Sequence, residues 1–320
     1  MLRFLIARGG GAVVVLLAKS FVIFLLIGLM PGDPVDLLMN ANPDARPEDV
    51  EHLRAIYGVD QPVIERYARW LGSALHGDFG YSRGQHRPVL EIVLPALGNT
   101  ILLTGTAFVL STLIAVALGT VAGIRRGTPL DRAINLFAYA GISLPSFWLG
   151  LLLIYLFAVH LGWLPAGGMP RPGQAQPAWA YLVMPVLTLV IVEVGGLARY
   201  TRSAVLDVLG QDHVRTAHAK GLAPMRVALR HVLRNALVPV VTVIALGVGH
   251  LFSGALLVEV VFAYRGMGRL TLEAIMGNDY NLALVCLLFT TIMIVIGSML
   301  ADIAYAWLDP RIGLEGRTRR

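Results

Sequence analysis

Long apolar stretches without a single charge dominate the chain. They lie between the charged pairs Glu91 and Arg125, Arg132 and Arg171, Arg171 and Glu193, Arg234 and Glu259, and Asp279 and Asp302. Each interval holds the roughly 20 residues that a helix needs to cross a bilayer core of about 30 Å. With an N-terminal run broken only by Lys19, the pattern predicts six transmembrane helices, near residues 9–30, 96–123, 134–160, 179–198, 236–260 and 282–306.

The first span is expected to stay in the mature protein. Its apolar run is longer than the core of a signal peptide, Lys19 interrupts it, and Pro31-Gly32-Asp33-Pro34 follows in place of a small-residue cleavage site.

Lysines and arginines in the short connecting segments predict the orientation. One side carries only Arg171, Arg265 and Arg269, whereas the other carries Arg3, Arg8, Arg125, Arg126, Arg132, Arg199, Arg202, Arg215, Lys220, Arg226, Arg230, Arg234, Arg311, Arg317, Arg319 and Arg320. Because positive residues stay on the cytoplasmic side, both termini are expected inside the cell.

Composition agrees with a membrane protein. The chain is 56% hydrophobic and 14% charged, and its mean hydropathy is +0.70, which argues against a soluble or disordered chain. A single cysteine, Cys286, excludes a disulfide framework. The isoelectric point of about 9.7 comes from the excess of lysine and arginine in the segments predicted to be cytoplasmic. It therefore gives no reason to expect a nucleic-acid partner.

Residues 31–94 form the one sizeable segment predicted to lie outside the cell. Helix start signals at Pro47 and at Pro62, with Gly58 and Gly77 as the matching ends, predict two short helices. Two interpretations remain open: a cap over the outer mouth of the helices, or a docking surface for an extracytoplasmic partner.

The inner segment, residues 199–235, has a helix–glycine–helix pattern. Asp212 is a candidate cap for a short helix over 213–220, Gly221 is typical of the C′ position with Leu222 as its apolar contact, and Pro224 starts another helix. Arg226, Arg230 and Arg234 recur every four residues along that second helix and share one face. The segment is either a positive loop on lipid headgroups or a docking element for a cytosolic partner.

Features within the spans point mainly to helix packing. Ala115, Gly119 and Gly123 form a ridge of small residues in the second span, and Pro145 and Pro239 can bend their helices. Interfacial positions are expected for Glu193, Glu259 and Asp302, which lie near predicted span ends. Lys19 is expected to snorkel or to face the interior of the helices.

No phosphate-cradling loop is present, because the two lysines, Lys19 and Lys220, each follow an alanine. The chain is therefore not expected to hydrolyse ATP by that route.

One stretch resembles the EAA loop of the inner-membrane permeases of ATP-binding-cassette (ABC) importers, in the version of the dipeptide/oligopeptide, nickel and glutathione group. Arg215-Thr216-Ala217 stands at the E-A-A position, Gly221 at the glycine, and His231-Val232-Leu233-Arg234 replaces I-x-L-P. Further marks of the group are Gly77-Asp78-Phe79-Gly80-Tyr81-Ser82, Asn99-Thr100, Pro145-Ser146-Phe147-Trp148, Gly162-Trp163-Leu164-Pro165, Gly266-Met267-Gly268-Arg269-Leu270 and Leu308-Asp309-Pro310-Arg311. The chain departs from the group at Asn278-Asp279-Tyr280-Asn281, at Tyr264-Arg265 and at Lys19.

The resemblance implies an all-α integral membrane protein, a type I ABC importer permease over residues 1–320, in the bacterial inner membrane. It implies a periplasmic loop over 31–94 and a cytoplasmic coupling loop over 199–235. The coupling residues are expected to be Asp212, Arg215, Thr216, Ala217, Lys220, Gly221 and Leu222.

The expected partners are a second permease chain, two cytosolic ATPases and an extracytoplasmic substrate-binding protein. ATP and Mg²⁺ would be bound by the ATPases and no cofactor by this chain, which is not expected to be an enzyme itself. The alternative function is a self-contained secondary transporter or channel. The missing phosphate-cradling loop fits both functions, whereas the EAA-like loop and the scarcity of intramembrane acids favour the permease.

Overall fold

A computed structural model describes residues 2–28, 61–170, 176–250 and 255–308. The described residues are mostly helical, and the one β-bridge among them joins Tyr81 and Pro88. Two compact units share the chain. The larger contains the described parts of Met1–Arg8, Leu97–Arg269 and Met293–Arg320, and the smaller those of Gly9–Ala96 and Leu270–Ile292.

In chain order, the helices of the described residues are α1 Leu2–Gly28, α2 Val63–Leu75, α3 Val89–Ile124, α4 Pro129–Ser143, α5 Ser146–Leu153, α6 Ala180–Leu209, α7 Asp212–Ala219, α8 Pro224–Arg226, α9 Arg234–His250, α10 Ala255–Val261, α11 Met267–Met276 and α12 Tyr280–Leu308. Two π-helical turns continue helices: π1, Ile154–His160, follows α5, and π2, Val227–Leu233, joins α8 to α9.

Five described helical stretches are long and apolar enough to cross a membrane: Gly9–Gly28, Val89–Ile124, Ala180–Leu209, Pro224–Gly247 and Tyr280–Ala301. A sixth candidate is the pair Pro129–Ser143 and Ser146–His160, which bend by 106° at their junction. Leu144 and Pro145 are both extended there, with ψ of 126° and 134°. Leu144 is extended because a proline restricts the residue before it to extended backbone. Pro145 therefore breaks the predicted third span instead of merely bending it.

Two helices extend beyond the spans predicted for them. The fourth predicted span is 179–198, and α6 runs on to Leu209; the fifth is 236–260, and its helix begins at Pro224. Arginines mark both predicted ends, and Arg199, Arg226, Arg230 and Arg234 are all exposed on their helices. Charges on an exposed face do not end a helix, so charge-free intervals underestimate its length.

Small residues bring the helices of the larger unit together. A Cβ on Gly119 would collide with the carbonyl oxygen of Ala198, and one on Gly123 would lie 2.5 Å from a methyl of Val205. Helices α3 and α6 therefore pack backbone to backbone along the ridge predicted from the sequence. Gly141 and Gly195 allow the same close approach between α4 and α6.

The smaller unit contains part of the predicted outer segment. Helix α2 spans Val63–Leu75 after Pro62, and Gly77 follows at φ 84°, as the sequence predicts. Its Tyr67 hydroxyl lies 2.7 Å from the Ser20 hydroxyl of α1, and its ring packs edge-on against Phe21. The helix predicted from Pro47 lies outside the described residues.

Candidate functional site

Helix α7 lies between the end of α6 and the start of α8 and contains most of the predicted coupling residues. Its N-cap is Gln211, which is extended and makes no side-chain capping bond. Asp212, predicted as the cap, is instead the first helical residue. Its carboxylate lies 3.6 Å from the guanidinium of Arg215, but both side chains are largely exposed, so the pair adds little stability.

The C-terminus of α7 is closed by two reverse hydrogen bonds around Gly221. The Gly221 N–H donates to the His218 carbonyl at 2.9 Å and the Leu222 N–H to the Ala217 carbonyl at 3.4 Å. This pattern is a Schellman motif, and it needs a residue with positive φ at C′. Gly221 has φ 71°, and a Cβ there would meet nothing within 4 Å. Backbone conformation alone therefore favours glycine at this position.

One side of α7 is buried and the remainder is exposed. Val214 and Ala217 are buried in a cluster with Val205 and Val208 of α6 and Val227 of π2, and Leu222 packs against the cluster. Helix α7 is thus seated on the ends of two longer helices.

A polar link holds α7 to the helix that follows it. The His213 Nε2 atom lies 3.3 Å from the His231 carbonyl and 3.2 Å from the Asn235 side-chain nitrogen. The same Asn235 nitrogen donates to the His231 carbonyl at 2.7 Å. Together with the buried valines, these contacts fix α7 against π2 and α9. The sequence pattern did not identify this role of His213.

The structure divides the predicted coupling residues into two groups. Exposed positions are Asp212, Arg215, Thr216, Lys220 and Gly221, whereas Ala217 is buried and Leu222 is half-buried. The exposed group forms a surface available to another protein. Ala217 and Leu222 hold that surface in place.

A buried ion pair supports the same region. Both Nε and Nη2 of Arg202 in α6 donate to the Asp131 carboxylate of α4, at 2.7 and 2.9 Å. Asp131 also accepts from the Gly127 N–H and the Asn135 amide. From the sequence, Arg202 was predicted only to mark the cytoplasmic side. A single sequence does not show which acidic residue on another helix will pair with an arginine.

Glu259 is fully buried within the chain, two residues before the end of α10. Thr100 donates to one carboxylate oxygen at 2.5 Å and the Arg269 N–H to the other at 3.0 Å. The Thr100 hydroxyl in turn accepts from the Met267 N–H at 2.7 Å. Close by, burial raises the pKa of Tyr264 to about 12, so its hydroxyl remains a donor to the Asn99 carbonyl. The hydrogen bonds of Glu259 and Thr100 hold the loop between α10 and α11 in place.

Glu193 is not near a helix end, because α6 extends well beyond the predicted span. Lys19 is exposed on α1, which is compatible with snorkelling but not with burial inside this chain. The side chain of Asp302 lies outside the described residues.

The chain matches a known family and resembles characterised transport proteins. Residues 115–314 match the family described as "Binding-protein-dependent transport system inner membrane component", and residues 1–104 match the N-terminal region of such components. The chain is 35% identical over 316 residues to the oligopeptide transport system permease protein AppB of Bacillus subtilis (strain 168), covering 98% of this chain and 99% of that protein.

A second relative is the glutathione transport system permease protein GsiC of Escherichia coli (strain K12), 36% identical over 312 residues, with 98% of this chain and 99% of that protein covered. Among solved structures, the inward-facing MetNI methionine ABC transporter matches with a TM-score of 0.57 and 17% identity, covering 69% of this chain and 97% of the matched chain. That likeness concerns the fold alone. The chain belongs to the binding-protein-dependent transport system inner membrane component family and is a permease subunit of an ABC importer.

Proposed function

We propose that α7 is the element on which a cytosolic ATPase docks, and that the chain forms half of the translocation pathway for a peptide-like solute. The remaining partners are a second permease chain, a second ATPase and an extracytoplasmic substrate-binding protein, all at the bacterial inner membrane. ATP and Mg²⁺ are bound by the ATPases in this proposal.

The observation that carries the docking proposal is the two-sided character of α7. Two of its three apolar residues, Val214 and Ala217, are buried against the neighbouring helices. Its polar residues Asp212, Arg215, Thr216 and Lys220 are all exposed. A positive loop on lipid headgroups needs no helix of fixed orientation, whereas a docking element does.

Coupling follows from the way α7 is held. A short helix closed at its C-terminus by a Schellman motif moves as a unit. Because it packs on the ends of α6 and π2, a push on α7 is delivered to two helices that are long and apolar enough to cross the membrane. ATP-driven closure of the ATPases would move those helices and alternate the side from which the pathway opens.

The solute proposal rests on the relatives. One is named for oligopeptide transport and another for glutathione transport, and both solutes are built from amino acids joined by amide bonds. Since the chain covers 99% of each relative, a peptide-like solute is the class we propose.

The docking proposal is tested by changing Gly221 in the complete importer. A residue with a side chain pays roughly 1–2 kcal/mol at positive φ, and a β-branched one more. Gly221→Val is expected to insert at normal abundance but to lose transport and co-purification of the ATPases. Gly221→Asn should retain most of both, because asparagine tolerates this backbone conformation.

Gly210→Ala is the matched control. Gly210 lies in the same inner segment, but its φ is −76° and an added Cβ would make only an ordinary contact. It should behave as the unchanged protein. Full transport and ATPase co-purification in Gly221→Val would contradict the proposed role of α7.

A further inference from the structure

Glu193 is a half-buried carboxylate in the middle third of α6. It is 13 residues from the start of α6 and 16 from its end, so it lies about 20 Å or more from either terminus at a rise of about 1.5 Å per residue. Its partner, the Ser111 hydroxyl of α3, lies 2.8 Å from Oε2 and is 13 residues from the nearer helix end. Both groups fall within the spans predicted from the sequence, 96–123 and 179–198.

The carboxylate is under-satisfied for such a position. Ser111 also lies 3.1 Å from the Phe108 carbonyl, and one hydroxyl proton cannot serve both acceptors fully. Among the described residues, no lysine, arginine or histidine pairs with Glu193. A charge at this depth costs several kcal/mol unless it faces water or a partner group. A purely structural link between α3 and α6 would need only a neutral amide.

The surface beside Glu193 is open. Its side chain is half-buried, and Gly196, one turn further along α6, is exposed. A Cβ on Gly196 would meet nothing within 4 Å. On the other side, Phe108 lies against Gly247 of α9, 3.4 Å from where its Cβ would be. Helix α3 thus contacts α9 at Phe108, and the open surface beside the carboxylate is that of α6 at Gly196.

We propose that Glu193, oriented by Ser111, lines the water-filled translocation pathway and forms a subsite for a cationic group of the solute. The inference rests on the proposed function, since a peptide-like solute carries an ammonium group at its N-terminus. An ammonium would supply the missing counter-charge and the hydrogen bonds that the carboxylate lacks. Glu193 is a contact for the passing solute in this proposal and not a catalytic group.

The test needs no identified solute. In membrane vesicles containing the complete importer with Cys286→Ala, Gly196→Cys is reacted with a trimethylammonium-bearing and with a sulfonate-bearing thiosulfonate reagent. A carboxylate about 6 Å away in a water-like medium speeds the cation about threefold and slows the anion about threefold. Glu193→Gln, which keeps a hydrogen-bonding group for Ser111, should therefore lower the ratio of the two rates about tenfold.

Asp207→Asn is the matched control. Asp207 is an exposed acid on the same helix, three turns from Gly196, and its neutralisation should leave the ratio unchanged. Absence of reaction at Gly196→Cys with both reagents, as on a lipid-facing surface, would overturn the proposal. The proposal would also be overturned if the ratio of the cationic to the anionic reaction rate were the same whether residue 193 is glutamate or glutamine. Neither result depends on ATPase docking, so the outcome for Gly221→Val remains a separate question.

Discussion

At the residue scale, Asp131 illustrates how a buried charge is made tolerable. Its side chain is 5% exposed, and its carboxylate receives two hydrogen bonds from Arg202, one from the Gly127 N–H and one from Asn135. The Thr128 hydroxyl caps the same helix turn by accepting from the Asp131 N–H at 3.3 Å. The pair therefore joins the start of α4 to the last turns of α6.

We expect Asp131→Ala to destabilise the protein. Removing one partner of a buried pair leaves the other charge uncompensated, at a cost of about 3 kcal/mol given that Arg202 is 26% exposed. Thermal unfolding of the purified protein in detergent, followed by tryptophan fluorescence, measures the change.

Arg87→Ala is the control, because Arg87 and Glu91 form an exposed pair, 3.0 Å apart, of the kind worth about 0–1 kcal/mol. If the two variants unfolded at the same temperature, the Asp131–Arg202 pair would have no special role in stability.

At the element scale, the sequence predicted those features that depend on local chemistry. Helix α2 begins after Pro62 and ends before Gly77, and Gly221 has positive φ after α7, because proline and glycine act on the backbone of their immediate neighbours. The ridge of Gly119 and Gly123 was also predictable from local sequence, because small residues four positions apart share a helix face.

Features that depend on distant partners were not predictable. Past residue 198, α6 carries Arg199, which lies 4.2 Å from the Tyr139 ring, and Arg202, which binds Asp131. Glu259 is buried because Thr100, far away in sequence, and the Arg269 N–H donate to it. The buried side of Ala217 likewise depends on α6 and π2. A single sequence shows each charge but not the group that compensates it.

Close packing of α3 on α6 gives a prediction for Gly119→Ala. Its Cβ would overlap the Ala198 carbonyl oxygen and lie 2.6 Å from the Thr201 Cβ, so the helices must separate, at a cost of about 1–3 kcal/mol. A lower thermal midpoint in detergent is the expected result.

Gly105→Ala provides the comparison within the same helix, since nothing lies within 4 Å of a Cβ there. Its midpoint should be unchanged or slightly higher, because alanine is the better helix former. A fall of equal size in both variants would mean that glycine flexibility, and not close packing, is what α3 requires.

At the scale of the whole molecule, α6 connects the two sites proposed here. Its last turns bury Val205 and Val208 against α7, and its middle carries Glu193. A displacement of α7 therefore acts on the same helix that bears the proposed cation subsite. The predicted orientation, with α7 inside the cell and α2 outside, would place ATP-driven motion and solute delivery on opposite sides of the membrane.

Site-specific photo-cross-linking in living cells tests the central claim most directly. A photoreactive phenylalanine derivative is incorporated in place of Arg215, whose side chain is 76% exposed on α7, or in place of Leu75, which is 78% exposed on α2. Illumination should link the Arg215 position to an ATPase subunit of the importer, identified by mass spectrometry, and the Leu75 position to none. An ATPase adduct at Leu75, or none at Arg215 in a transport-competent variant, would contradict the docking of the ATPase on α7.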